Sequence, residues 1–159
     1  MTAQQLDLST PRGFVDAVIG HGVTLADLHG MTKDELDAVY LLARQDLGEG
    51  RAESAVDRLA PLVQFAPDDR RYLVAYALAL QRVRRYESAA RFYGYAMLLD
   101  ATDALCALRI GECLAARSQW AEAREAFESA VKLSWLDTAY EAVRTSSLQR
   151  LDQMVRLGF

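Results

Sequence analysis

A recurrence at a step of 34 residues constrains this chain more than any other feature. Ala55, Ala89 and Ala123 obey it, as do Leu59, Tyr93 and Phe127, then Leu62, Ala96 and Ala130, and in the preceding segments Ala43, Ala77 and Gly111. The aromatic that opens YESAARFYGYAMLL at Tyr86 returns as Trp120 in WAEAREAFESAVKL, with Ala52 in the same place one period earlier. Inside each copy the steps are three and four residues, so these side chains fall on one side of a 3.6-residue helix. Two antiparallel helices approach to about 8–10 Å only where small side chains face each other and larger ones fill the flanks. A helix pair built this way keeps an apolar face that only the next pair can cover, so the copies must stack.

A small residue at position 8, Ala at 20, an aromatic or Leu at 24 and a small residue at 27 of a 34-residue period resembles the tetratricopeptide repeat. The resemblance implies an all-α fold of three helix-turn-helix repeats, at about 36–69, 70–103 and 104–135. Helices are expected at 33–47 and 51–65, 70–83 and 86–99, 103–117 and 120–134. Thr32-Lys33-Asp34-Glu35 reads as a capping box, Gly48 and Gly50 break the first pair, and Pro67-Asp68-Asp69 parts the first repeat from the second. The LGEGR stretch is then a helix-to-helix turn rather than a phosphate loop.

Outside the repeats, residues 1–10 read as a flexible N-terminus and 11–32 as a helical lead-in, where Pro11 opens a short helix with Phe14, Val15, Val18 and Ile19 on one side. Residues 135–159 read as a capping helix, with Leu136, Tyr140, Val143, Leu151 and Met154 turned to the last repeat. The chain is 52% hydrophobic and 25% charged with three prolines, the composition of an ordinary folded domain. Its longest apolar run, Tyr72 to Leu80, is about half of what a membrane span needs. MTAQQLDLST has neither a basic start nor an apolar centre, so no secretion signal, no stable membrane association and a cytoplasmic (bacterial) location are expected.

Little here suggests catalysis. The two histidines, His21 and His29, lie in the linker before the first repeat with no partner nucleophile, and no Cys, His or carboxylate set has ligand spacing. Cys106 and Cys113 sit two turns apart on one expected helix, roughly 10 Å along its axis and beyond a disulfide's reach, so they read as small core residues. No enzyme, metal or cofactor is expected. The one local charge bias lies between residues 70 and 91, where Arg70, Arg71, Arg82, Arg84, Arg85 and Arg91 face a single acid, Glu87. That segment carries +5 in a chain of −4, leaving −9 elsewhere. Its aromatics occupy core positions of a repeat, which argues against nucleic acid and for a solvated face or a contact with acidic parts of a protein partner.

In tetratricopeptide arrays the first helix of each repeat lines the concave surface through positions 2, 5, 9 and 12. Here these are Asp37, Tyr40, Arg44 and Leu47, then Arg71, Val74, Leu78 and Gln81, then Leu105, Leu108, Glu112 and Ala115. A merely solvated face would be polar at nearly all of them. An apolar strip rimmed by charge suits either an extended or helical segment of a partner or the chain's own N-terminal segment. Arrays that grip heat-shock chaperone tails place Lys, Asn or Arg where this chain has Tyr40, Arg44, Ala75, Leu105 and Arg109, and only Arg109 matches.

GVTLADLHGMTKDELDAVYLLARQ at 22–45, FYGYAMLLDATD at 92–103 and GECLAARSQWAEAREAFESA at 111–130 together resemble the class II chaperones of bacterial type III secretion. The resemblance covers about residues 12–135 and implies a non-catalytic protein that binds one or two hydrophobic translocators before export. It also implies a homodimer made through the N-terminal helical region. The matching groove positions are Tyr40, Arg44 and Leu47, then Val74 and Leu78, then Leu105, Leu108 and Glu112, with Arg71 and Gln81 on the rim. The first repeat departs from the family pattern, with Asp46 and Ala52 where aromatics are usual. Outside that resemblance, a general repeat scaffold holding a folded partner is the other reading.

Overall fold

The computed structural model describes residues 30–159; the expected N-terminal helix and both histidines lie outside the described residues. Among the described residues there are seven α-helices and no strand: α1 (Lys33–Gly48), α2 (Ala52–Phe65), α3 (Arg70–Arg82), α4 (Tyr86–Leu99), α5 (Ala104–Ala116), α6 (Trp120–Leu133) and α7 (Glu141–Leu157), the last entered through a 3-10 turn at Thr138–Tyr140. Each helix packs on the next in chain order, and the first helices of neighbouring pairs also touch, α1 with α3 and α5 with α7. This is the tetratricopeptide arrangement, with α1, α3 and α5 on the inner side.

The helix starts alternate in chemistry. α1 opens with a complete capping box: the Glu35 amide donates to the Thr32 hydroxyl and the Thr32 amide donates to the Glu35 carboxylate, 2.8 Å away. Asp69 caps α3 by accepting from the Arg71 amide, and Asp103 caps α5 by accepting from the Leu105 and Cys106 amides. The second helices α2, α4 and α6 have no side-chain cap, because each follows a tight turn held by backbone bonds: Arg51 to Asp46, Arg85 to Leu80 and Gln119 to Leu114. The residue before each of these donors takes a left-handed backbone, Gly50 at φ 78°, Arg84 at 63° and Ser118 at 60°, as this helix-ending motif requires. The period of 34 is thus written into the turns as well as the core.

Ala43, Ala77 and Gly111, and opposite them Ala55, Ala89 and Ala123, are wholly or nearly buried. Leu59, Tyr93 and Phe127 fill the spaces between them. The third repeat is the tightest: a methyl group on Gly111 would stand 2.6 Å from the Phe127 ring. Cys106 and Cys113 are buried free thiols, and burial pushes them up to about 11 and about 12. Asp46 sits where an aromatic was expected from the family pattern and is itself buried, bracketed by Arg51 at 2.6 Å and Arg58 at 2.8 Å from α2. The first repeat closes with a charged clasp where the second and third have Leu80 and Leu114.

α7 lies against α6 and α5 with Val143, Ser147 and Met154 buried. Leu136 does not join them: it is 65% exposed, because the chain bends between α6 and the 3-10 turn before α7 begins.

Candidate functional site

The inner side of α1, α3 and α5 has three zones. Near the N-terminal ends of α1 and α3 the surface is aromatic and charged. The Tyr40 and Tyr72 rings are 5.3 Å apart, and the Arg71 guanidinium lies over both, 5.6 and 5.3 Å from their centres. Arg71 also pairs with Asp37 at 2.8 Å and Asp69 at 2.6 Å, and the Tyr72 hydroxyl donates to Asp37 at 2.7 Å. These bonds hold the Asp37 carboxyl below the usual carboxylate range, the Tyr72 hydroxyl contributing most, while burial first and Asp37 second push the Tyr72 phenol well up. Arg44 approaches the open side of Tyr40, 6.0 Å from the ring centre.

The middle zone is apolar. Val74 and Leu78 are half-buried on α3, and Leu105 on α5 is 39% exposed, the barest apolar side chain of the expected strip. Two residues expected to face a ligand do not: Leu47 is 6% and Leu108 is 5% exposed, each built into the core by the close approach of neighbouring helices.

The third zone is a polar bridge. Gln81 accepts from the Tyr93 hydroxyl at 2.9 Å and donates to Glu112 at 3.0 Å. Glu112 also receives Arg109 at 2.9 Å and Arg150 of α7 at 3.5 Å, so its charge is spent inside the fold. Beyond the bridge a cavity of about 300 Å³ opens between α5, α6 and α7, lined by Ala115, Ala116, Trp120, Phe127, Met154 and Leu157 with Glu112, Arg150 and Gln153 at its polar edge. Arg150 and this cavity were not legible in advance, since α7 does not follow the step of 34; the arginine spacing on α7 carries no signal of its own.

Among the described residues no group of three His, Cys, Asp or Glu side chains could hold a metal ion, and no helix is long and apolar enough to cross a membrane. What the inner side offers is a strip of open apolar surface between two fixed sets of hydrogen-bonding groups, which is the chemistry of peptide recognition. Fold and strip together define a tetratricopeptide-type helical repeat with an open apolar strip on its inner side.

No protein-family model matches the chain. It is 28% identical over 112 residues to chaperone protein SicA of Salmonella typhimurium, covering 69% of this chain and 67% of that protein. PcrH from Pseudomonas aeruginosa superposes with a TM-score of 0.75 at 25% identity, over 82% of this chain and 99% of PcrH. PcrH bound to the chaperone-binding region of PopD gives 0.77 at 23% identity, over 82% and 98%. The Yersinia enterocolitica type III secretion translocator chaperone SycD, solved as an alternative dimer, gives 0.75 at 20% identity, over 80% and 96%. The chain thus shares the fold of the PcrH and SycD structures and is similar in sequence to a secretion chaperone, in keeping with the resemblance carried by residues 22–45, 92–103 and 111–130.

Proposed function

We propose that the protein is a chaperone of a type III secretion system that binds one or two hydrophobic translocators in the bacterial cytosol and keeps them soluble until export. An extended segment of the client lies along α1, α3 and α5. The observation that carries this reading is the likeness to PcrH in complex with the chaperone-binding region of PopD. The chemistry of the strip supports it: the client's apolar side chains meet Val74, Leu78 and Leu105, between Tyr40, Arg44 and Arg71 at one end and the internally bonded Gln81–Glu112 bridge at the other. Leu47 and Leu108 act beneath this surface, as support for the helices that carry it.

Burying two or three client side chains would yield about 1.5–3 kcal/mol each, and ordering the segment takes back several kcal/mol, so a short peptide should bind in roughly the micromolar range. Binding of that strength masks sticky surface by mass action and still allows release at the export machinery. The protein works by binding alone, as a homodimer formed through its N-terminal segment.

The test is co-expression with a translocator from the same secretion locus, with soluble client measured by sedimentation. Leu105→Glu, at the barest position, should leave the helical spectrum and melting temperature unchanged and reduce client recovery, and adding Leu78→Glu, which is half-buried against the core and so lowers the melting temperature as well, should abolish it. A client kept soluble by that variant refutes the strip assignment, and one not solubilised by the unaltered protein refutes the function.

A further inference from the structure

The arginines between residues 70 and 91 divide into two sets. Arg70 pairs with Asp103 and Asp100, Arg71 with Asp37 and Asp69, and Arg82 donates to the Leu47 carbonyl. These three tie helices together. Arg84 and Arg85 differ: Arg84 has no ion-pair partner among the described residues, and Arg85 meets only the exposed Glu53, at 3.9 Å. The stacking of repeats brings Arg117, from the next turn along the same edge, beside them around one open cavity of about 260 Å³. Glu87 is the only acid lining it, and it is divided between Arg117 at 3.4 Å and Arg91 at 3.5 Å. The equivalent turn of the first repeat is not available, since Arg51 is held by Asp46 and Glu49.

We propose that this edge, formed by Arg84, Arg85 and Arg117, is a second docking surface that takes a short acidic segment of a protein partner. The charge balance is the reason. Three guanidiniums against one carboxylate leave a local excess of +2 on a chain whose net charge is −4. Arg84 and Arg117 stand at corresponding turns of successive repeats, so the cations are spread along the edge rather than gathered on a point. That spacing matches several carboxylates carried on an extended chain, each able to take a guanidinium side-on. A long polyanion would also meet the −9 carried by the rest of the molecule, which disfavours nucleic acid. The left-handed backbone at Arg84 fixes the direction in which the chain leaves the turn and keeps its side chain out of the helix packing. The surface is distinct from the strip on α1, α3 and α5, and the proposal stands without it.

The test uses the full-length protein and a fluorescently labelled peptide of alternating Asp and Glu, read by anisotropy. Saturable binding is expected, weakening several-fold between about 50 and 300 mM salt. Arg84→Glu with Arg117→Glu should weaken it at least ~10-fold, because attraction becomes repulsion at two positions. Glu87→Gln should strengthen it, since the competing carboxylate is gone. Arg156→Glu, on the far helix α7, and the Leu78→Glu/Leu105→Glu pair should leave it unchanged. Absence of saturable binding, an equal loss from Arg156→Glu, or tighter binding of a labelled single-stranded oligonucleotide through the same arginines would overturn the proposal. Circular dichroism melting of each variant guards against reading misfolding as lost binding.

Discussion

Replacing Gly111 by Ala isolates the packing rule on which the third repeat rests. The added methyl would lie 2.6 Å from two carbons of the Phe127 ring and 3.1 Å from a third, about an ångström inside ordinary contact. Phe127 is 1% exposed and lines the cavity between α5, α6 and α7, so either its ring is displaced towards that cavity, off its present packing, or helix α5 or α6 shifts. Overpacking of this kind costs about 1–3 kcal/mol, and Ala recovers about 1 kcal/mol of helix propensity over Gly, for a net loss of about 0–2 kcal/mol. At about 2–4 °C per kcal/mol for a domain of this size, the melting temperature should fall by up to ~8 °C. The decisive assay is a double-mutant cycle with Phe127→Leu, which copies the Ala43 and Leu59 pairing of the first repeat. Alone, Phe127→Leu leaves a void and destabilises; on the Gly111→Ala background the methyl should fill part of that void. The two changes together should therefore cost at least ~1 kcal/mol less than their sum. Additive costs, or a higher melting temperature for Gly111→Ala alone, would refute the claim that position 8 and position 24 are sized to each other.

Two further perturbations address the turns and the charged clasp. Ser118→Gly should raise stability by about 0.5–1 kcal/mol in thermal melts, because the left-handed backbone at φ 60° is costly for Ser and open to Gly, as Gly50 already shows in the first repeat. Asp46 is held below its ordinary value of 3.8 by hydrogen bonds from Arg51 and then Arg58. A depressed carboxylate contributes stability that is complete well above that value and is lost as pH falls below it. Asp46→Asn should accordingly lower the melting temperature near neutral pH and narrow its gap to the unaltered protein in titrations below about pH 4. A gap that stays constant with pH would show that the clasp acts by shape rather than charge.

The sequence by itself determined the helices, their partners and the packing layers, because each depends on spacing within one or two turns of chain. Ala, Gly and aromatic residues at steps of three and four can only make faces, and a period of 34 can only stack them. The capping residues Thr32, Asp69 and Asp103 were readable for the same reason, since a cap acts within three residues of its own position. Position in the repeat also pointed to the inner strip, and Val74, Leu78 and Leu105 lie open or half-open there. Position could not tell that Leu47 and Leu108, at equally inward places, are covered. Coverage depends on how closely α1, α3, α5 and α7 approach, and that distance is set by the summed volumes of side chains far apart in the chain. The same holds for charge: six arginines in a row of 22 residues look alike in sequence, yet Asp37, Asp100 and Asp103 neutralise some of them from other helices. Only the tertiary structure decided which cations are spent within the fold and which remain at the edge, because an ion pair forms between neighbours in space, and the stacking of repeats chooses those neighbours.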